Sequence, residues 1–204
     1  MNLEIIKVDN IDILVKIMKF ASELFYNEYK ENNLIYYPMG DNWINILNNY
    51  EHNKLHYYAV FNNKVVGTLI TKKKDNRELT ISSLIIEKKY RRRGIGNLLI
   101  LSLLNDCKKK SIHFINLGSM KGAEQFYLKQ GFTPYLLLQV YDFIQIDDIL
   151  QIVDRLKLVV VDKFQSDFYG FVKIKIDILD YQLIDFFEKS ISTLKALYIF
   201  EMVV

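Results

Sequence analysis

Between Tyr90 and Leu98 the chain reads Arg91-Arg92-Arg93-Gly94-Ile95-Gly96-Asn97, three guanidinium groups beside two glycines, with Lys88 and Lys89 just before them. Glycine lets a ligand approach the backbone. A helix opening at such a turn leaves its first N–H groups without intrahelical acceptors, so the stretch suits an anion such as a phosphate. Two phosphate-loop designs do not fit. A Walker loop needs Gly, four residues, then Gly-Lys and Ser or Thr, a spacing that neither Gly94 nor Gly96 satisfies. A dinucleotide fingerprint needs a small residue where Leu99 stands and an acidic residue about twenty positions on. On these residues alone a solvated basic turn stays open. Of the other reactive types, the single cysteine, Cys107, sits among leucines and reads as an inert packed thiol. His52, His56 and His113 match no metal-site spacing and read as surface or strand histidines, so no metal is expected.

Composition narrows the partners. Half of the 204 residues are hydrophobic and 25% are charged, the balance of a folded protein with a sizeable core. A net charge of +3 is too small to favour nucleic acid or an anionic membrane, so neither is expected as a partner. One cysteine excludes an intramolecular disulfide framework and fits a reducing, cytoplasmic setting. Residues 1–9 lack an apolar run after a basic segment, and no stretch approaches the ~20 apolar residues that cross a bilayer.

The elements that must position the loop follow from periodicity. Leu3 to Val8 reads as a strand, and Ile11 to Tyr29 as an amphipathic helix with Ile13, Ile17, Phe20 and Leu24 at helical spacing. A short helix carries Trp43, Ile46 and Leu47. Strands at 56–61 and 64–71 are joined by Asn62-Asn63, a pair that tolerates the positive φ of a tight hairpin. A third strand, 78–86, completes an antiparallel meander and feeds the glycine turn. After it, Leu98, Leu99, Leu101, Leu103 and Leu104 lead a helix to Cys107 and Lys108-Lys109-Lys110, charges that suit a helix C-terminus. A strand at 112–117 and a helix at 121–129 come next, with Gly131 as its C-terminal stop before Pro134. The remainder reads strand 135–143, helix 146–156, strands 158–163 and 170–176, helix 181–192 and strand 196–202. This is a split βαβ order. An RNA-recognition sheet shares that order, but only Phe168, Tyr169 and Phe171 stand where its basic-aromatic run would be, and that reading is set aside.

Arg91, Gly94 and Gly96 fill the pattern Arg or Gln, two residues, Gly, one residue, Gly or Ala. Further on, Ala123, Phe126, Tyr127, Gly131 and Phe132 reproduce Ala-x-x-Phe-Tyr-x-x-x-Gly-Phe. In these two motifs, in their order, the chain resembles the GNAT family of N-acetyltransferases over about residues 1–142. The resemblance implies an α+β fold with a mixed, mostly antiparallel central sheet flanked by helices. Residues 143–204 would add a smaller split βαβ (ferredoxin-like) region. It also implies acetyl-CoA (coenzyme A) as co-substrate, with its pyrophosphate on the backbone of Arg91, Arg92, Arg93, Gly94, Ile95, Gly96 and Asn97. Leu84, Ile85 and Ile86 would line the pantetheine arm, and Ala123 and Phe126 the later helix. Met120 stands where the family often has an asparagine, and Ser119 would replace that contact.

The same resemblance assigns Tyr127 as the acid that protonates the departing thiolate, a phenol of pKa ~10 against a thiol near ~8.5. The plainer reading packs its ring beside Phe126. Thr80 occupies the strand position where some members carry a catalytic glutamate. Alternation puts Glu78 on the same face as Thr80 and Ser82, where it would act as general base through water or stand solvated at the strand start. The expected reaction is direct acetyl transfer in a ternary complex to a primary amine of a small molecule or peptide. A non-catalytic acyl-CoA sensor is the alternative. The strands of the tail leave edges to bury, which calls for packing on the first part or for pairing of two chains as a homodimer.

Overall fold

Asn62 and Asn63 both adopt positive φ, 48° and 62°, and close the hairpin between β2 (Tyr57–Phe61) and β3 (Lys64–Lys73) as the sequence predicts. The computed structural model describes residues 2–31, 40–141, 145–166 and 168–204, with the backbone alone for Tyr29, Glu31 and Asp41. Its six α-helices and nine strands form a mixed α+β fold with a mostly antiparallel sheet flanked by helices. The chain divides into two compact units, residues 1–115 with 203–204 and residues 116–202. The expected domain boundary at 142/143, and Phe143 at the end of the expected strand 135–143, lie outside the described residues.

In the first unit β1 (Leu3–Lys7), β2, β3 and β4 (Glu78–Ile86) are antiparallel neighbours in chain order. Both α1 (Ile11–Glu31) and α2 (Gly40–Asn48) bury their apolar stripes on one face. Leu14, Ile17, Met18, Ala21, Ile46 and Tyr50 cluster there with Ile70 of β3 and Ile85 of β4. The opposite face receives α3 (Ile95–Lys109), whose Ile95, Leu99, Ile100, Leu103 and Cys107 are buried at helical spacing. There Tyr57 donates its hydroxyl to Asp106 at 2.9 Å.

Two details shape β4. Pairing with β3 skips Ser82, since Ile70 faces Ser83 and Thr71 faces Ile81, so Ser82 is the extra residue of a β-bulge. At the other end Gly67 faces Ile86 so closely that a Cβ on it would sit 2.4 Å from Ile86 Cδ1 and 3.2 Å from Ile85 O.

In the second unit β6 (Thr133–Val140) lies between β9 (Lys195–Val203) and β8 (Gly170–Lys175), and β8 pairs with β7 (Val159–Gln165), all antiparallel. The order β9-β6-β8-β7, with α5 (Gln145–Arg155) and α6 (Tyr181–Ser190) as crossovers, is the split βαβ arrangement expected for the tail. Leu136, Leu138, Val172, Ile174, Phe187 and Phe200 are fully buried and form its core. The short helix α4 (Glu124–Lys129) precedes β6, and β5 (Phe114–Gly118) crosses the division between the units. No described helix is long and apolar enough to cross a membrane.

Candidate functional site

Beyond Ile86 the chain makes a single 3-10 turn at Lys88–Tyr90 and then reaches the basic loop. Arg91 is spent on structure. Its Nε donates to Ile86 O at 2.9 Å, and its two terminal nitrogens donate to the Glu28 carboxylate on α1 at 3.0 and 2.5 Å. This fork ties the loop to the end of β4 and to α1 together, a geometry only guanidinium can supply. Arg93 stacks over the Tyr90 ring at 5.5 Å, and Lys89 approaches the same ring at 5.2 Å. Tyr90 in turn packs on Phe61 at 5.6 Å.

Gly94 is the N-cap of α3 at φ 79°, a conformation natural to glycine, and no side chain caps the helix. The helical bond Leu98 N–H to Gly94 O begins the ladder at 3.1 Å. By helix geometry the N–H groups of Ile95, Gly96 and Asn97 have no acceptor within the helix. A Cβ built on Gly94 would meet nothing within 4 Å, and no acidic residue stands in the first turn. Amide donors, the positive end of the helix dipole and open space at Gly94 make a cradle that suits the diphosphate of a nucleotide carrier. Arg92 and Arg93 are exposed beside it, whereas Ile95 is buried and contributes through its backbone.

The remaining sequence-derived residues fall into two places. Leu84, Ile85 and Ile86 lie between the Ser82 bulge and the loop, on the β4 segment that Gly67 draws close. Glu78 stands at the opposite end of β4. Its backbone N–H and that of Arg77 are held by Asp75 Oδ1 at 2.9 and 2.6 Å, and its own carboxylate accepts from Lys74 Nζ at 3.1 Å. Thr80 and Ser82 share its half-buried face.

In the second unit Ser119, Ala123, Phe126 and Tyr127 are gathered around the start of α4. The Ser119 hydroxyl donates to Met120 O at 3.0 Å, and Ala123 is the N-cap of α4. Tyr127 is 7% exposed, edge-on to Phe126 and Phe132 and tilted on Phe200, with ring centroids 5.2, 5.9 and 5.5 Å away. Burial, with the Glu124 charge as a smaller cause, holds its phenol protonated well above the usual tyrosine range. The Phe132 N–H donates back to Tyr127 O at 3.2 Å across Gly131, which closes the helix end.

Other reactive groups stand apart. Cys107 is buried, and burial pushes its thiol up to about 12. His52 and His113 are exposed, but His56 is fully buried, where the sequence allowed a strand or surface position. The apolar surroundings push its imidazole down to about 4. No group of three His, Cys, Asp or Glu able to hold a metal ion occurs among the described residues. Two features were invisible in the sequence. Glu28, at the far end of a long helix, shows no spacing that points to Arg91. The buried Glu124 reads in sequence as an ordinary charged residue in the first turn of α4.

With this geometry in place, comparison with known proteins gives one answer. The family model described as an acetyltransferase (GNAT) domain matches residues 28–145. Among solved structures, the PaiA N-acetyltransferase of Thermoplasma acidophilum in complex with coenzyme A aligns at TM-score 0.50 with 21% identity, covering 86% of this chain and 100% of its own. A GNAT-family acetyltransferase of Staphylococcus aureus Mu50 aligns at TM-score 0.51 with 20% identity, covering 85% and 100%. At these identities the two structures speak to the fold, and the family match spans more than half of the chain. The protein is a member of the GNAT acetyltransferase family.

Proposed function

We propose that this protein transfers an acetyl group from acetyl-CoA directly to a primary amine of a small molecule or peptide. The observation that carries the reading is the start of α3, a glycine-opened turn with open space at Gly94, no side-chain cap and Arg91 tied back to Glu28. The diphosphate is held by the backbone of the loop Arg91 to Asn97, chiefly the amides of Ile95, Gly96 and Asn97, with Arg92 and Arg93 adding charge, since the Arg91 N–H donates to Lys88 O at 3.2 Å. Leu84 to Ile86 line the pantetheine arm, with Ser119, Ala123 and Phe126 as further contacts.

The chemistry then balances as follows. The neutral amine nitrogen forms a bond to the thioester carbonyl carbon, the carbonyl oxygen takes negative charge, and collapse breaks the C–S bond. Backbone N–H groups of β4 stabilise the oxyanion, commonly the largest catalytic contribution. Tyr127 gives its proton to the departing thiolate, and the amine proton passes through water to Glu78. Residues 1–142 act as the catalytic domain, with residues 143–204 as an added region, in a cytoplasmic protein that pairs as a homodimer.

Calorimetric titration of acetyl-CoA tests the cradle, and binding at micromolar to millimolar concentration is expected; absence of any binding heat with the loop intact would end the proposal. Glu78→Gln is expected to lower kcat on the order of a hundredfold. A loss under threefold removes Glu78 from the mechanism. A second reading, a non-catalytic acyl-CoA sensor, draws on Thr80 at the strand position of the family's glutamate and on the Lys74 pairing of Glu78. It is distinguished by acetyl-CoA binding without release of coenzyme A on a panel of amines.

A further inference from the structure

A carboxylate is rarely buried without a reason, because its desolvation must be offset by donors. Glu124, the first residue of α4, is 4% exposed. Both of its oxygens are used. Oε2 accepts from the Gly122 N–H at 2.7 Å, and Oε1 accepts the hydroxyl of Tyr181, the first residue of α6. Tyr181 is itself fixed from several sides. Its ring stands edge-on to Tyr198 of β9 with centroids 5.7 Å apart, and Lys121 Nζ lies 4.7 Å above it. The Tyr198 hydroxyl accepts from the Asp180 N–H at 2.6 Å, and Asp180 caps α6 through the Gln182 N–H at 2.8 Å. One residue before Met120, the Ser119 N–H donates to the Tyr198 backbone at 3.1 Å.

The segment 119–124 is thus clamped at both ends by α6 and β9, elements of the C-terminal split βαβ. It is also the segment that carries Ser119 and Ala123 and leads into the turn of Tyr127, one helical turn beyond Glu124. We propose that Glu124 and Tyr181 are a positioning pair for the transfer reaction, through which the C-terminal region holds segment 119–124 and Tyr127 in the conformation used in catalysis. This inference rests on the acetyltransfer reading, with Tyr127 as acid. The charge of Glu124 also keeps Tyr127 protonated, as a smaller cause beside burial. Tyr181 remains a donor across the working range, its phenol pushed up to about 12 by burial and then by Glu124.

The test is a double-mutant cycle on kcat, read as coenzyme A thiol release with the best amine of a panel containing a polyamine, an aminoglycoside, lysine and a peptide with a free N-terminus. Tyr181→Phe keeps the ring and removes one hydroxyl. It is expected to lower kcat roughly tenfold with the acetyl-CoA dissociation constant within twofold of the unmodified protein, the scale at which small misplacements act. In Tyr127→Phe the same second change is expected to cost less than twofold, because the pair then has no acid left to position. Losses that multiply instead, or a Tyr181→Phe protein as active as the parent, overturn the inference while leaving the acetyltransfer reading intact. A Tyr127→Phe protein with undiminished kcat overturns the inference together with the acid role of Tyr127, whereas no turnover of any amine by the unmodified chain overturns the acetyltransfer reading as well. Should Tyr181→Phe lose its cooperative thermal transition, Glu124→Gln replaces it in the same cycle, with the same outcomes deciding.

Discussion

Arg91 lies in the loop proposed to hold acetyl-CoA, yet its guanidinium is engaged by Ile86 O and Glu28. If its guanidinium serves the loop through Glu28 and Ile86 O, then Glu28→Ala releases the fork and should weaken acetyl-CoA binding several-fold; if Arg91 instead meets the phosphates, the same change frees a cation and tightens binding. Isothermal titration of Glu28→Ala gives the sign directly. His56 makes a different kind of prediction. Its Nδ1 accepts from the Thr71 N–H at 3.3 Å, and the ring is fully buried, with a backbone contact to Asn53 as a smaller, opposing influence on its proton. Burial pushes the folded imidazole down to about 4, below an unfolded value of about 6.5. Between those values the unfolded chain binds more protons, so stability is complete above ~6.5 and is lost as pH falls toward ~4. The loss approaches about 3 kcal/mol at the bottom of that window. Urea midpoints at pH 7, 5.5 and 4, compared with those of His56→Gln, measure it. An identical pH dependence in the two proteins would exclude His56 as the cause.

At the scale of elements, β4 and α3 form one device, a strand drawn close at Gly67, bulged at Ser82 and turned at Gly94 into a helix. Gly67→Ala forces the Ile86 side chain to shift and presses on Ile85 O in the segment proposed to line the carrier, so a stability loss of about 1–3 kcal/mol is expected. Acetyl-CoA affinity should fall as well, and thermal melts with and without acetyl-CoA check both effects. This device was largely legible before the structure. Hydrophobic period, the Asn62-Asn63 pair and two glycine-anchored motifs located β2, β3, β4, α3 and α4 to within a few residues, because each depends on local backbone preference. The bulge was not legible, since it depends on how β3 registers with β4 and nothing in Ser82-Ser83 announces it. Nor were the Glu28–Arg91 and Glu124–Tyr181 contacts, which join residues 63 and 57 positions apart. Local pattern says what forms a helix, but not which charges meet once several helices have packed.

On the scale of the molecule the modest net charge conceals an uneven distribution. Residues 1–115 carry 18 Lys and Arg against 12 Asp and Glu, a net +6, whereas residues 116–202 carry 9 against 12, a net −3. A carrier with several phosphates is drawn toward the first of these, so its dissociation constant should rise about three- to tenfold between 50 and 500 mM salt as screening shortens the reach of the field. A flat salt response would leave the amides of the loop as the whole of the attraction. The chain also contains a single tryptophan, Trp43, which packs against the α1 and α2 cluster with its indole N–H buried. Intrinsic fluorescence excited at the red edge therefore reports on the first unit alone, while far-UV circular dichroism averages over both. Superimposable denaturation curves from the two signals would mean that the chain melts as one cooperative body; an emission shift that precedes or lags the ellipticity would reveal a partly unfolded species.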